Sequence, residues 1–166
     1  WHSIRKPIPM VVSVYDEQIR IDIRRSHSDD AWFRPHREVL IQILNAFANT
    51  NVDFGYPQGL NYLVFPLYQV YFTACPKWAV EDTFYSLHKL VGILMPLYPL
   101  TATDVAAYDY MKLVCAVVKL QTTTAHPTLR TRLFSPEYEL FVLSLVSSML
   151  PTMFANVFSV TETIVL

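Results

Sequence analysis

Two short stretches of the chain carry side chains whose types and spacing could do chemistry. In Ile19-Arg20-Ile21-Asp22-Ile23-Arg24-Arg25-Ser26, Asp22 and Arg25 stand three residues apart, which puts them on one face of a helix. A carboxylate at that spacing can hold a guanidinium in one orientation, turning a flexible charge into a fixed, forked cation. The same pair also fits a solvated ion pair worth ~0.3 kcal/mol. In the second stretch, two of the protein's three glycines, Gly55 and Gly59, bracket Tyr56-Pro57-Gln58. Glycine permits positive φ, and proline fixes φ near roughly −65° and removes a donor, so 53–59 reads as a stiff turn that enters a helix and presents Gln58 in a defined direction. A plain connection whose glutamine faces water would have the same composition. Other chemistries find less support. His2, His27, His36, His88 and His126 fall at no metal-ligand spacing, and there is no Gly-x-Ser-x-Gly elbow. Cys75 or Cys115 as a nucleophile would need a histidine partner that spacing alone does not supply.

The elements that must position these residues read as helices. From Pro35 to Asn49, Val39, Leu40, Ile43, Leu44 and Phe47 recur at helical spacing, with Arg37, Glu38, Gln42 and Asn45 opposite and Pro35 suited to a first turn. From Leu60, the residues Leu63, Val64, Leu67, Tyr68, Tyr71 and Phe72 repeat the period, with Pro66 placed to start or kink the helix. Phe84, Leu87, His88, Leu90 and Val91 repeat it again before Pro96. Tyr108 to Leu120 and Tyr138 to Leu150 supply a further pair, bounded by prolines. No stretch alternates with period two for long enough to argue a strand, so the expected class is all-α, in one domain over residues 1–166.

Composition narrows the function classes. The chain is 52% hydrophobic and 16% charged, far from the mixture that leaves chains disordered. Thirteen basic against fourteen acidic residues leave a formal charge of −1, without the basic field that holds nucleic acid, so no nucleic-acid partner is expected. Leu140 to Thr161 carries no charge, but Ser144, Ser147, Ser148, Pro151, Thr152, Asn156 and Ser159 break it up, and it reads as buried helix rather than as a membrane span. Cys75 and Cys115 lie far apart in apolar surroundings and read as buried, unbridged thiols of a reducing compartment. The chain begins at Trp1 and stops within the apolar run Ile164-Val165-Leu166, as a domain cut at both ends would.

Taken together, the two motifs resemble the signature of the TBC domain, the GTPase-activating domain for Rab-type small GTPases. That family carries Ile-x-x-Asp-x-x-Arg, matched by Ile19, Asp22 and Arg25, and further on Tyr-x-Gln, matched by Tyr56 and Gln58. Its Gly-Tyr-x-Gln-Gly-Met-Asn run is similar to Gly55-Tyr56-Pro57-Gln58-Gly59-Leu60-Asn61, and its later Glu-Asp-x-Phe is similar to Glu81-Asp82-Thr83-Phe84. The Arg-x-x-x-Trp that precedes the arginine motif in the family has no counterpart in residues 1–14. The resemblance spans roughly residues 15–166 and implies an irregular multi-helix fold.

The resemblance also implies an activity. Arg25 would be an arginine finger and Gln58 a glutamine finger, both acting on the nucleotide of a Rab-family GTPase. Asp22 would orient Arg25, Tyr56 and Asn61 would brace the glutamine loop, and Ile19 would anchor the arginine segment in the core. GTP and Mg²⁺ would belong to the partner, so no cofactor of this chain's own is expected; in keeping with that, the sequence has no Gly-x-x-x-x-Gly-Lys phosphate loop. The implied setting is cytoplasmic vesicle trafficking, with recruitment to endomembranes through the partner rather than by insertion. The alternative is a catalytically silent scaffold that binds a small GTPase without stimulating it. Thirty-three residues separate Arg25 from Gln58, so only the fold could bring them together, by packing the helix that starts near Pro35 between them.

Overall fold

A computed structural model describes residues 6–26, 30–98, 109–117, 135, 143–144, 148–153 and 155–156. The chain is all-α, with no strand among the described residues. Its contacts divide it into two compact units, residues 1–93 with 152–166, and residues 94–151. The first unit holds every candidate residue.

Among the described residues four helices carry that unit: α1 (Asp16–Arg25), α2 (Phe33–Thr50), α3 (Leu60–Ala74) and α4 (Ala79–Leu94), with a 3-10 turn, Pro76–Trp78, joining α3 to α4. Helix α1 is short. Acidic Asp16 and Glu17 in its first turn and Arg24 and Arg25 in its last complement the helix dipole. Ile19, Asp22 and Ile23 form its buried face. Helix α2 starts where the Asp30 carboxylate accepts the N–H of Trp32 at 2.8 Å and of Phe33 at 3.3 Å, which satisfies donors the helix leaves open. Pro35 sits in its first turn, as its fixed φ favours. The α2 stripe Leu40, Ile43, Leu44 and Phe47 is fully or almost fully buried, as are Leu60, Val64 and Phe65 of α3, which packs on α2, and Leu87 of α4.

Pro66 lies inside α3 rather than at its start. The helix begins six residues earlier at Leu60, because Gly59 takes a left-handed conformation that turns the chain into it. Helix α4 also begins ahead of its apolar repeat, at Ala79, with Glu81 and Asp82 supplying acidic charge in the first turn. Residues 6–13 have no regular secondary structure and are tied to α2. The backbone N–H and the hydroxyl of Ser13 both donate to Asn45 Oδ1, at 2.8 and 2.7 Å, and Asn49 Nδ2 donates to the Val11 carbonyl at 2.8 Å.

In the second unit, residues 109–117 are helical where a helix over Tyr108 to Leu120 is expected, and the rest of that span lies outside the described residues. So does most of Tyr138 to Leu150, where 143–144 and 148–149 are helical. No helix among the described residues is long and apolar enough to cross a membrane. Cys75 and Cys115 are unbridged, but the expectation that both are buried fails: Cys75 is exposed and Cys115 half-buried. Cys75 caps the C-terminal end of α3, and the last turn of that helix, with Thr73 and Ala74, projects beyond the core.

Candidate functional site

The site is built on the last turn of α1 and the turn that leads into α3. Ile19 and Ile23 are completely buried, so they fix the rotation of α1 about its own axis. That rotation drives Asp22 inward and leaves Arg25 at the rim. The Asp22 side chain is 3% exposed, that of Arg25 53%, and Arg25 Nη2 lies 2.7 Å from Asp22 Oδ1. The other carboxylate oxygen accepts the Tyr56 hydroxyl at 3.1 Å. A buried carboxylate loses its water and requires donors in return. Here one donor comes from its own helix and one from the turn.

That turn is rigid for reasons visible in its backbone. Asn51 ends α2, and its carbonyl accepts the N–H of both Phe54 and Gly55, at 3.0 and 2.6 Å. Gly55 has φ +63°, and a Cβ there would collide with the Tyr15 ring and hydroxyl. Gly59 has φ +109°, and a Cβ there would stand 3.1 Å from Thr152 Cγ2. Gly55 is therefore required by both backbone sign and space, and Gly59 by backbone sign, with a tight contact added. Between them Tyr56 is buried, Pro57 half-buried and Gln58 exposed. One residue into α3, Leu60 is buried, followed by Asn61, which is fully buried and donates from Nδ2 to Ser26 Oγ at 2.6 Å.

The structure thus places the six candidate residues in one neighbourhood of the fold. Arg25, Asp22 and Tyr56 form a continuous chain of polar contacts, and Gln58 follows Tyr56 by two residues on the same turn. Ile19 lies beneath them in the core. Asn61 reaches α1 through Ser26 rather than contacting Gln58 through any described hydrogen bond. The two motifs meet directly, through side chains of α1 on one side and of the turn and α3 on the other. Helix α2 packs against both α1 and α3 and supports the junction instead of separating it. Two participants had no sequence signal: Ser26, which looks like an ordinary helix-ending serine, and Tyr15, whose ring fills the space a side chain at position 55 would need.

Charge around the junction is locally balanced. Arg20 Nε bonds Asp16 Oδ2 at 2.8 Å, and Arg20 also reaches Glu38 of α2 at 3.2 Å. The Arg20 hydrogen bond is the main cause that holds the Asp16 carboxyl below its ordinary range. With Arg20 engaged in this way, Arg25 points its charge outward from the C-terminal end of α1. No group of histidine, cysteine, aspartate or glutamate among the described residues could hold a metal ion.

The arginine is thus exposed and paired with a buried carboxylate, and the glutamine is exposed on the neighbouring turn. Comparison with known proteins agrees in family. The model of the Rab-GTPase-TBC domain matches residues 9–166. No curated protein and no solved structure matches the chain. With the match covering nearly the whole sequence, the chain belongs to the Rab-GTPase-TBC domain family.

Proposed function

We propose that this member of the Rab-GTPase-TBC family accelerates GTP hydrolysis by a Rab-type small GTPase, with Arg25 and Gln58 supplied in trans. A small GTPase hydrolyses slowly because charge builds on the phosphate oxygens without a nearby cation, and because the attacking water is poorly held. The observation that carries the reading is the shared carboxylate of Asp22, which bonds Arg25 with one oxygen and Tyr56 with the other. Through it, the direction of the arginine and the position of the glutamine turn are set by one buried group.

Each residue then has a role. Arg25, always charged and forked, stabilises negative charge that develops on the transferred phosphoryl group. Gln58 accepts a hydrogen bond from the attacking water and donates one to a phosphate oxygen. Asp22 and Tyr56 position the two tips, Asn61 steadies the turn from below, and Ile19 holds α1 in its rotation. The nucleotide and its Mg²⁺ are bound by the partner as its own substrate and ion. The chain acts peripherally, on a GTPase that is itself attached to endomembranes, in the regulation of vesicle trafficking.

The test is single-turnover GTP hydrolysis across a panel of Rab proteins, with wild type, Arg25→Ala, Arg25→Lys and Gln58→Ala. An arginine finger is worth ~10³- to 10⁵-fold in rate, and Lys cannot reproduce its planar fork, so both arginine variants should lose most of the stimulation. Unchanged rates with Arg25→Lys would rule out the finger. Binding to a Rab without stimulation by wild type would identify the silent scaffold instead.

A further inference from the structure

We propose that Ser26 is a positioning residue for this reaction, locking the turn that carries Arg25 to the helix that follows Gln58. The inference rests on the reading of Arg25 and Gln58 as fingers and adds a residue to it. Ser26 follows Arg25 directly and is fully buried. Its backbone N–H closes α1 on the carbonyls of Asp22 and Ile23, at 3.1 and 3.4 Å. Its hydroxyl lies 2.6 Å from the Asp22 carbonyl and 2.6 Å from Asn61 Nδ2.

Proton accounting fixes the direction of both bonds. A serine hydroxyl has one proton, and a backbone carbonyl can only accept, so the proton goes to Asp22 O. The remaining lone pair accepts from Asn61, which must then present its NH₂ group. Asn61 is itself fully buried, and its Oδ1 has no hydrogen-bond partner among the described residues. Among those residues its amide is therefore held by Ser26 alone. A buried amide that makes one of its four possible hydrogen bonds is an expensive way to fill space that an apolar side chain could occupy. What the bond does supply is a fixed relation between α1 and α3.

That relation matters because of where the two cross-links fall. Asp22 and Ser26 are one helical turn apart on α1, roughly 6 Å along its axis. Their partners, Tyr56 and Asn61, stand on either side of Gln58. With one attachment the turn could swing about it. With two, flanking the glutamine and rooted in the helix that carries the arginine, the separation of the two tips is fixed before any partner arrives, the condition under which orientation lowers a barrier.

The experiment uses the whole chain and the Rab it stimulates best in the panel. Ser26→Ala removes the acceptor, and Asn61→Leu removes the amide while leaving the serine hydroxyl bonded to Asp22. Ser26→Thr keeps the hydroxyl. Displacement of about an ångström costs on the order of 10²-fold, so Ser26→Ala and Asn61→Leu should lower kcat ~10- to 10²-fold with KM within ~2-fold of wild type, and Ser26→Thr should restore most of it. Asn61→Leu should keep the thermal stability of wild type, which separates positioning from unfolding. In an Arg25→Ala background, the further loss caused by Ser26→Ala should shrink, because half of what it positions is already gone. A full rate with both Ser26→Ala and Asn61→Leu, a loss carried by KM, or an undiminished loss in the Arg25→Ala background overturns the role of Ser26. A wild-type chain that stimulates no Rab overturns the fingers themselves, and this proposal with them.

Discussion

The shared carboxylate of Asp22 should show one energetic asymmetry in stability and the opposite one in catalysis. Its two partners differ in surroundings. Tyr56 is buried, whereas the Arg25 side chain is 53% exposed. A hydrogen bond from a buried hydroxyl to a charged group contributes ~1.5–3 kcal/mol, and a hydroxyl left without its acceptor keeps its desolvation penalty. An ion pair whose cation can turn into water contributes ~0–1 kcal/mol. Double-mutant cycles by urea denaturation should therefore give a coupling of ~2 kcal/mol for Asp22→Ala with Tyr56→Phe, and under ~1 kcal/mol for Asp22→Ala with Arg25→Ala. Measured instead on kcat for Rab hydrolysis, the Asp22–Arg25 pair should be the strongly coupled one, because an absent finger no longer needs aiming. Equal couplings in the urea experiment, or a larger one for Arg25, would refute the reasoning. They would mean that the carboxylate is a structural ion pair rather than an aiming device.

Gly55→Ala should destabilise the chain by ~1–3 kcal/mol in a thermal or urea melt, since positive φ and the Tyr15 ring both oppose a Cβ, and Tyr15→Ala should recover only the steric part. Gln58→Ala should slow hydrolysis while leaving Rab affinity, measured with a non-hydrolysable GTP analogue, nearly intact, because in the proposed mechanism the glutamine acts mainly when water attacks. His88 of α4 is half-buried between Phe47 and Phe84, with Thr50 Oγ1 at 3.0 Å from Nε2, and burial pushes its pKa below the ordinary value. A histidine whose folded pKa is lowered gives stability that is present above about pH 6.5 and lost as pH falls through the folded value, so His88→Gln should flatten the pH dependence of urea midpoints between about pH 7 and 5.

The fold was largely legible because its signal is local. The apolar repeat of α2 needs only its own residues to be recognised, and the expected Pro35 to Asn49 is extended to Phe33–Thr50 by a carboxylate cap outside the repeat. The start of α1 was not legible. Val11, Val12 and Val14 lie just ahead of it and extend the apolar residues past its start, and the side chain of Asn45, which donates to Asp16 Oδ1 at 2.7 Å, ties the first turn to α2. The candidate site divides in the same way. Asp22 and Arg25 can be paired from spacing alone. The bonds from Asp22 to Tyr56 and from Ser26 to Asn61 join residues 34 and 35 positions apart, so no periodicity announces them. Cys75 was misread because an apolar neighbourhood in sequence says nothing about where a helix outruns its core.

The exposure of the two tips has a consequence for how this protein can change. Arg25 and Gln58 stand at the surface and bear almost none of the weight of the fold, whereas Asp22 and Tyr56 are buried and bear a good deal of it. Quality control in a cell removes unstable chains, and so guards these two buried residues whether or not the protein ever meets a GTPase. It does not see the tips. In the proposed mechanism, a single substitution at either one would leave a chain of normal abundance that still presents its surface to a partner and no longer hastens the reaction. From an activator of this design, a silent competitor is one mutation away, while the reverse journey requires only that the buried framework has been kept.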